Sequence, residues 1–223
     1  MLENWIKPQI PEEEELDERL HAARSKLSVL QMQIKEHGLP VLVLFEGWGT
    51  AGKGSVLGKV IKNIDPRFFK VATMDEPTEE ERRKPFLYRY FVKIPAKGKL
   101  EFLDSGWMDE VVNGILHDDM GEKEYKKKIE SVKRFERQLT DNGYLVMKFF
   151  FQISRKEQKK RIEVLKENKD TRWRVSGDED WQNKHYDKCM HVFDRYLNDT
   201  NSPGSRRKGM GGLQRKGCKQ MDC

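Results

Sequence analysis

The stretch that most constrains this chain is "VLVLFEGWGTAGKGS", Val41 to Ser55. A short continuous apolar run suits a strand buried on both faces, as in a parallel sheet. The glycines behind it permit a tight turn whose N–H groups converge on one concavity. "SVLGKVIKNI" then reads as a helix, and its N-terminal dipole favours an anion at that concavity. Gly47, four residues, then Gly52 and Lys53 give the G-x-x-x-x-G-K spacing of a phosphate loop, with Lys53 as the mobile cation. Gly47, Gly52, Lys53, Gly54 and Ser55 are therefore the candidate phosphate-binding residues. Gly54 stands where such a loop usually offers a hydroxyl to magnesium, and Ser55 is the neighbouring hydroxyl. The alternative is a glycine-rich strand-to-helix turn with no ligand.

The rest of the chain repeats the strand-then-helix alternation. "KVATM" (70–74), "KLEFLD" (99–104) and "YLVMKFFFQI" (144–153) are further strand candidates. Leu16, Leu20, Ala23, Leu27, Leu30 and Ile34 recur at helical spacing over 12–37. Thr78 and Glu81 form a capping-box signature opening "TEEERRKPFLYRYFVKI". Tyr125, Ile129, Val132, Phe135 and Leu139 share one helical face, and Ser154 caps a later helix. This order predicts an α/β fold with a mostly parallel sheet and helices on both faces. One domain over 12–203 is expected, with an N-terminal arm over 1–11. The tail over 204–223 is glycine-rich and basic, has neither period, and reads as disordered.

Charge narrows the partners. The net +6 arises mostly after Gly204, where six Lys/Arg meet one Asp, leaving 37 basic and 36 acidic groups in residues 1–203. A genome-binding protein spreads positive charge over a folded face, so no specific nucleic-acid partner is expected. No apolar run approaches the roughly 18 residues needed to span a bilayer, so no membrane partner is expected either. Three cysteines without metal-ligand spacing point to a reduced, cytoplasmic setting.

Cations cluster locally. "RRKPFLYRYFVKIPAKGK" holds Arg82, Arg83, Lys84, Arg89, Lys93, Lys97 and Lys99, and Arg89 and Lys93 are four apart, on one helical face. Such a set could bind an anion longer than a nucleotide's phosphates, although ordinary surface helices carry as many. Arg155, Lys159, Lys160 and Arg161 follow the fourth strand. "NKDTRWRVSGDEDW" (168–181) reads as a mobile lid whose Arg172 and Arg174 reach the phosphates on closure. Asp104, closing "LEFLD", would sit beside the loop and hold a metal, or cap a helix.

Taken together, "FEGW–TAGKG", "EPTEEE", "PFLYRYFVKIPAKGKLEFLD" and "FERQLTDNGYLVMKFFFQISRKEQKKR" resemble the polyphosphate kinase 2 family. The likeness runs from about residue 12 to Pro203 and includes "WRVSGDEDW" and "DTNSP". It implies a P-loop kinase-like α/β/α sandwich with a helical lid. The implied activity is Mg²⁺-dependent phosphoryl transfer between inorganic polyphosphate and a nucleotide (AMP, ADP or GDP), by a homo-oligomer. It assigns catalytic roles to Lys53, Asp104, Arg89 and Arg161, with Asp104 as the metal-binding acid.

Some positions depart from the pattern. Active members usually carry a metal-binding Asp where this chain has Gly49, and D-R-S-W-Y where it reads "DSGWM", with Ser105, Gly106 and Met108. "EGWG" resembles the N-terminal, partly degenerate half of two-domain, AMP-phosphorylating members, and the "APW" block that usually follows is replaced by the basic tail. The alternatives are a non-catalytic polyphosphate- or nucleotide-binding or subunit-pairing domain, and an ATP-dependent nucleoside monophosphate kinase.

Overall fold

The computed structural model describes residues 12–201 and, as backbone, residues 206–211. Strands β1 (Val41–Gly47), β2 (Phe69–Thr73), β3 (Leu100–Asp104), β4 (Leu145–Gln152) and β5 (Arg206–Gly211) form one sheet in the order β2-β3-β1-β4-β5. Every pairing is parallel. All seven residues of β1 are buried, Val41–Phe45 as their uninterrupted apolar run requires. The α/β expectation holds, with a four-stranded parallel centre and β5 added at one edge.

Helices α1 (Glu13–Glu36), α2 (Lys53–Ile61), α3 (Glu79–Arg82), α4 (Tyr88–Phe91), α5 (Trp107–Leu116), α6 (Glu122–Asp141), α7 (Arg155–Glu167), α8 (Gly177–Lys184) and α9 (Tyr186–Asp199) complete the described residues, with a 3₁₀ turn over Arg172–Arg174. The apolar face of α6 is buried at Tyr125, Ile129, Val132, Phe135 and Leu139, the positions that spacing marks. Trp48, Leu44, Leu103, Trp107, Met108 and Val132 lie at the centre of the core.

Two expectations change. The helix expected from Thr78 onward breaks into the single turns α3 and α4. Its capping box forms, with Glu81 N–H donating to Thr78 Oγ1 at 3.2 Å and Thr78 N–H to Glu81 Oε2 at 2.9 Å. Pro85 then interrupts it, having no N–H to donate and disfavouring helix in the residue before it. Lys93 falls in a turn beyond α4, so Arg89 and Lys93 do not share a helical face.

The tail is the second change. Arg206–Gly211 runs parallel to β4, with Met147 opposite Arg206 and Gln152 opposite Gly211. A ladder needs only main-chain N–H and C=O groups, so glycines and basic residues form an edge strand without any apolar period. The arm over 1–11 lies outside the described residues, as do 202–205 and 212–223 with Cys218 and Cys223. Among the described residues, no helix is long and apolar enough to cross a membrane.

Candidate active site

The glycine loop leaves β1 at Gly47, whose φ is 112°. A Cβ there would lie 2.5 Å from the Phe151 carbonyl oxygen and 2.8 Å from its nitrogen, so only glycine lets the loop pass this close to β4. Trp48 pins the loop from beneath. Its indole is buried, stacks on Tyr186 at 4.1 Å and donates from Nε1 to Gln152 Oε1 at 2.7 Å. Gly52, at φ 99°, turns the chain into α2. The Lys53 ammonium folds back over the loop, donating to the carbonyls of Gly47 (2.9 Å) and Trp48 (3.2 Å).

Asp104 ends β3 opposite Phe45 of β1. Its Oδ2 lies 3.5 Å from where a Cβ on Gly54 would be, so the carboxylate stands against the first turn of α2. Ser105 follows at φ 75°, a left-handed conformation uncommon for a residue with a side chain. At Gly106 a Cβ would meet Glu46 Oε1 and Leu44 Cδ2, both at 2.7 Å. Met108 is wholly buried core.

The segment after β4 closes over the loop. Gln182 of α8 accepts from the Gly49 N–H at 3.0 Å, and buried Gln158 of α7 donates to the Gly49 carbonyl at 3.3 Å. Gln158 also donates to Gln182, and Asn183 to Gln158, so these amides form one connected clasp. Between loop and α8 lies a cavity of about 200 Å³. Asp109, Asp178 and Glu179 bring carboxylates to its wall, and Lys53 is its one lysine or arginine among the described residues. Burial pushes the Asp109 carboxyl up, against the Lys53 ammonium and the Ser105 hydroxyl, which favour its charged form. His117 packs on Trp181 at 4.6 Å along the same wall.

The expected cations separate. Arg161 grips the outer side of the loop, donating to the carbonyls of Ala51 (3.0 Å) and Thr50 (3.2 Å), and pairs with Glu157 at 2.7 Å. Arg89 is buried, donates to the Asp75 carbonyl and lies 3.8 Å from Glu81. It thus meets the acidic start of α3. Lys99 donates to the Arg67 carbonyl at 2.6 Å, at the opposite end of β3 from Asp104. At about 3.3 Å per residue that end is roughly 16 Å away. Arg172 and Arg174 are exposed and do not line the cavity. Arg155 donates to the Lys184 carbonyl, and Lys159 lies 3.9 Å from Glu163. The loop therefore gathers Lys53, Asp104 and Arg161, but not a continuous basic track.

Sequence reading missed Asp109, Asn113, His117, Glu179 and Gln182. Asp109 and Asn113 on α5 and His117 at its C-cap recur at four-residue spacing along one face, which is the signal that could have found them.

Comparison with known proteins agrees with this architecture. The family model described as "Polyphosphate kinase 2 (PPK2)" matches residues 11–206. A polyphosphate:AMP phosphotransferase of Pseudomonas syringae pv. tomato is 32% identical over 189 residues, covering 82% of this chain and 38% of that protein. A protein of the same name from Pseudomonas aeruginosa is 30% identical, over 79% of this chain and 36% of its own length. The chain thus spans less than two fifths of these two relatives. The crystal structure of polyphosphate kinase 2 from Arthrobacter aurescens superposes with a TM-score of 0.81 at 24% identity, over 85% of this chain and 69% of the other. With the glycine loop between β1 and α2, the parallel sheet and a match over most of its length, the chain belongs to the polyphosphate kinase 2 family.

Proposed function

We propose that this chain transfers phosphoryl groups between inorganic polyphosphate and a nucleoside mono- or diphosphate. The observation that carries the reading is the glycine loop with Lys53 folded over it and Asp104 against its helix. The relatives' names pair polyphosphate with AMP, ADP and GDP, and this chain's nucleotide is expected in that set. A cytoplasmic homo-oligomer remains the expected setting.

Loop N–H groups and the α2 N-terminus hold the phosphate oxygens. Lys53 exchanges its two carbonyl partners for oxygens of the transferring group. The acceptor's phosphate oxygen attacks in line, with no covalent intermediate on the enzyme. Excluding water from the cavity is the work of α8, held down by the Gln158–Gln182 clasp. Among the described residues, no three His, Cys, Asp or Glu side chains form a metal centre. Mg²⁺ takes one or two carboxylates and draws its other oxygens from water and substrate phosphates. Asp104 would hold it, and it would neutralise charge on the phosphate oxygens.

A second reading, binding without turnover, is favoured by the acidic cavity wall and by Ser105 in place of an arginine. Losing one charge-stabilising group typically costs about 10²–10³ in rate. The test incubates pure protein with Mg²⁺, polyphosphate or ATP as donor and AMP, ADP or GDP as acceptor, separates the nucleotides by chromatography, and measures polyphosphate binding in parallel. Product formation abolished by Lys53→Ala is expected. Polyphosphate binding with no product from any acceptor selects the second reading, and product with ATP alone as donor selects an ATP-dependent kinase.

A further inference from the structure

Helix α1 carries an apolar seam that its own domain covers at one end only. Leu16, Leu20, Ala23, Leu27, Leu30 and Ile34 follow one another at intervals of four and three residues in strict alternation. That period of about 3.5 keeps the stripe on one face toward a second helix, whereas a straight helix repeats at about 3.6. Leu27 and Ile34 pack against the core, and Gln31 between them is buried and accepts from the Asp65 N–H at 2.8 Å. From Glu13 to Lys26 every residue is exposed except Leu16, which is half-buried. This half is about 20 Å of helix at 1.5 Å per residue, a length that is marginal in water without tertiary packing. On the seam itself, Leu20 is 41% exposed and Leu30 39%.

Charge along α1 selects both the occupant of the seam and its direction. Glu12, Glu13, Glu14, Glu15, Asp17 and Glu18 crowd the start, whereas residues 19–35 carry Arg19, Arg24, Lys26 and Lys35 and no acid. We propose that the Glu13–Lys26 half of α1 pairs antiparallel with the same half of a second copy of this chain. A parallel pair would set acid on acid and base on base, while the antiparallel pair sets each acidic start on the other helix's basic stretch. With Leu20 beside the partner's Ala23 and Leu16 beside the partner's Leu27, Asp17 meets the partner's Arg24, twice by the two-fold symmetry. Arg19 comes beside the partner's Lys26 in this register, and it is already paired with Glu15 of its own helix at 2.7 Å. The pairing gives the expected homo-oligomer a surface and does not depend on the phosphoryl-transfer reading.

Sedimentation equilibrium of the full-length protein, without substrate, measures the pairing, and a dimer is expected. Leu20→Glu puts an unpaired charge in the seam and should weaken dimerisation at least about tenfold. Because Leu20 lies outside the packed core, the unfolding midpoint of the dilute, monomeric variant should match that of the dilute wild type. Asp17→Arg should also weaken the dimer at least about tenfold, since like charges then face each other twice. Adding Arg24→Asp reverses both members of the pair and should restore the affinity to within about threefold. In a parallel pair Asp17 would face the partner's acidic start, so Asp17→Arg would strengthen the dimer instead. A wild type that is monomeric at every concentration, its stripe covered by the arm over 1–11 or by solvent, overturns the proposal. So does an oligomer indifferent to Leu20→Glu, a dimer strengthened by Asp17→Arg, or a charge swap without recovery. A dimer of this kind that transfers no phosphoryl group removes the proposed function and leaves the pairing standing, and an active monomer does the reverse.

Discussion

The buried ion pair between β4 and α6 offers a sharp test of how this core is held. Lys148, in the middle of β4, is 1% exposed, and Glu136 of α6 is 2% exposed. The ammonium lies 2.6 Å from each carboxylate oxygen, and Trp107 Nε1 donates to Oε1 at 3.1 Å. Lys148→Met preserves length and apolar packing but leaves the carboxylate with a neutral donor in a dry setting. Breaking a buried pair on one side costs about 3–5 kcal/mol, a large part of the roughly 5–15 kcal/mol that keeps a domain folded. At about 2–4 °C per kcal/mol for this size, the melting temperature should fall by roughly 10 °C. Adding Glu136→Leu removes the stranded charge, leaving the unpaired Trp107 N–H at about 1–3 kcal/mol. The double variant should therefore be more stable than the single. Urea unfolding with unchanged slope gives both values, and the double-mutant cycle isolates the coupling. A Lys148→Met cost below about 1 kcal/mol, or a double variant no better than the single, would refute this account of the pair.

Two further outcomes follow from the loop and the cavity wall. Gly47→Ala forces a Cβ against the Phe151 backbone at φ 112°. Unfavourable backbone geometry of about 1–3 kcal/mol and overpacking of similar size should lower stability by roughly 3–5 kcal/mol, and an unchanged melting temperature would show that the loop relaxes freely. For Asp109, whose carboxyl is pushed up by burial, the stabilisation from its neutral form is complete below the unfolded carboxyl range near about 4. It is lost as pH rises through the raised folded value. Asp109→Asn should accordingly raise the melting temperature at pH 7 and not at pH 4, and equal gains at both pH values would sink the assignment.

What was legible in the sequence followed physical rules that act locally. The buried run of β1, the glycine turn and the caps at Thr78 and Ser154 each satisfy their own backbone groups, so their residues announce them. Gly47, Lys53, Asp104 and Arg161 were readable because a strand end and a helix start must lie beside the loop in a parallel sheet. Lys97 and Lys99 were grouped with Arg89 and Lys93 by closeness in sequence, whereas β3 carries its start, next to Lys99, to the opposite end of the sheet from Asp104. Ser176 and Glu179 spell the capping box that opens α8, but the contacts of Glu179 and Gln182 with Gly49 left no local mark, since they depend on α8 folding back onto the loop. The strand Arg206–Gly211 was invisible because it pairs through main chain alone.

The central place of β1 has a kinetic consequence. Its two neighbours in the sheet, β3 and β4, begin only at Leu100 and Leu145, far along the chain. Each contact closes a long loop before it yields any stabilisation, and such non-local parallel pairing slows folding. During synthesis the apolar run Val41–Phe45 must therefore wait, uncovered, until most of the chain has emerged. The segment that builds the glycine loop is also the one most exposed to mispairing before its partners arrive.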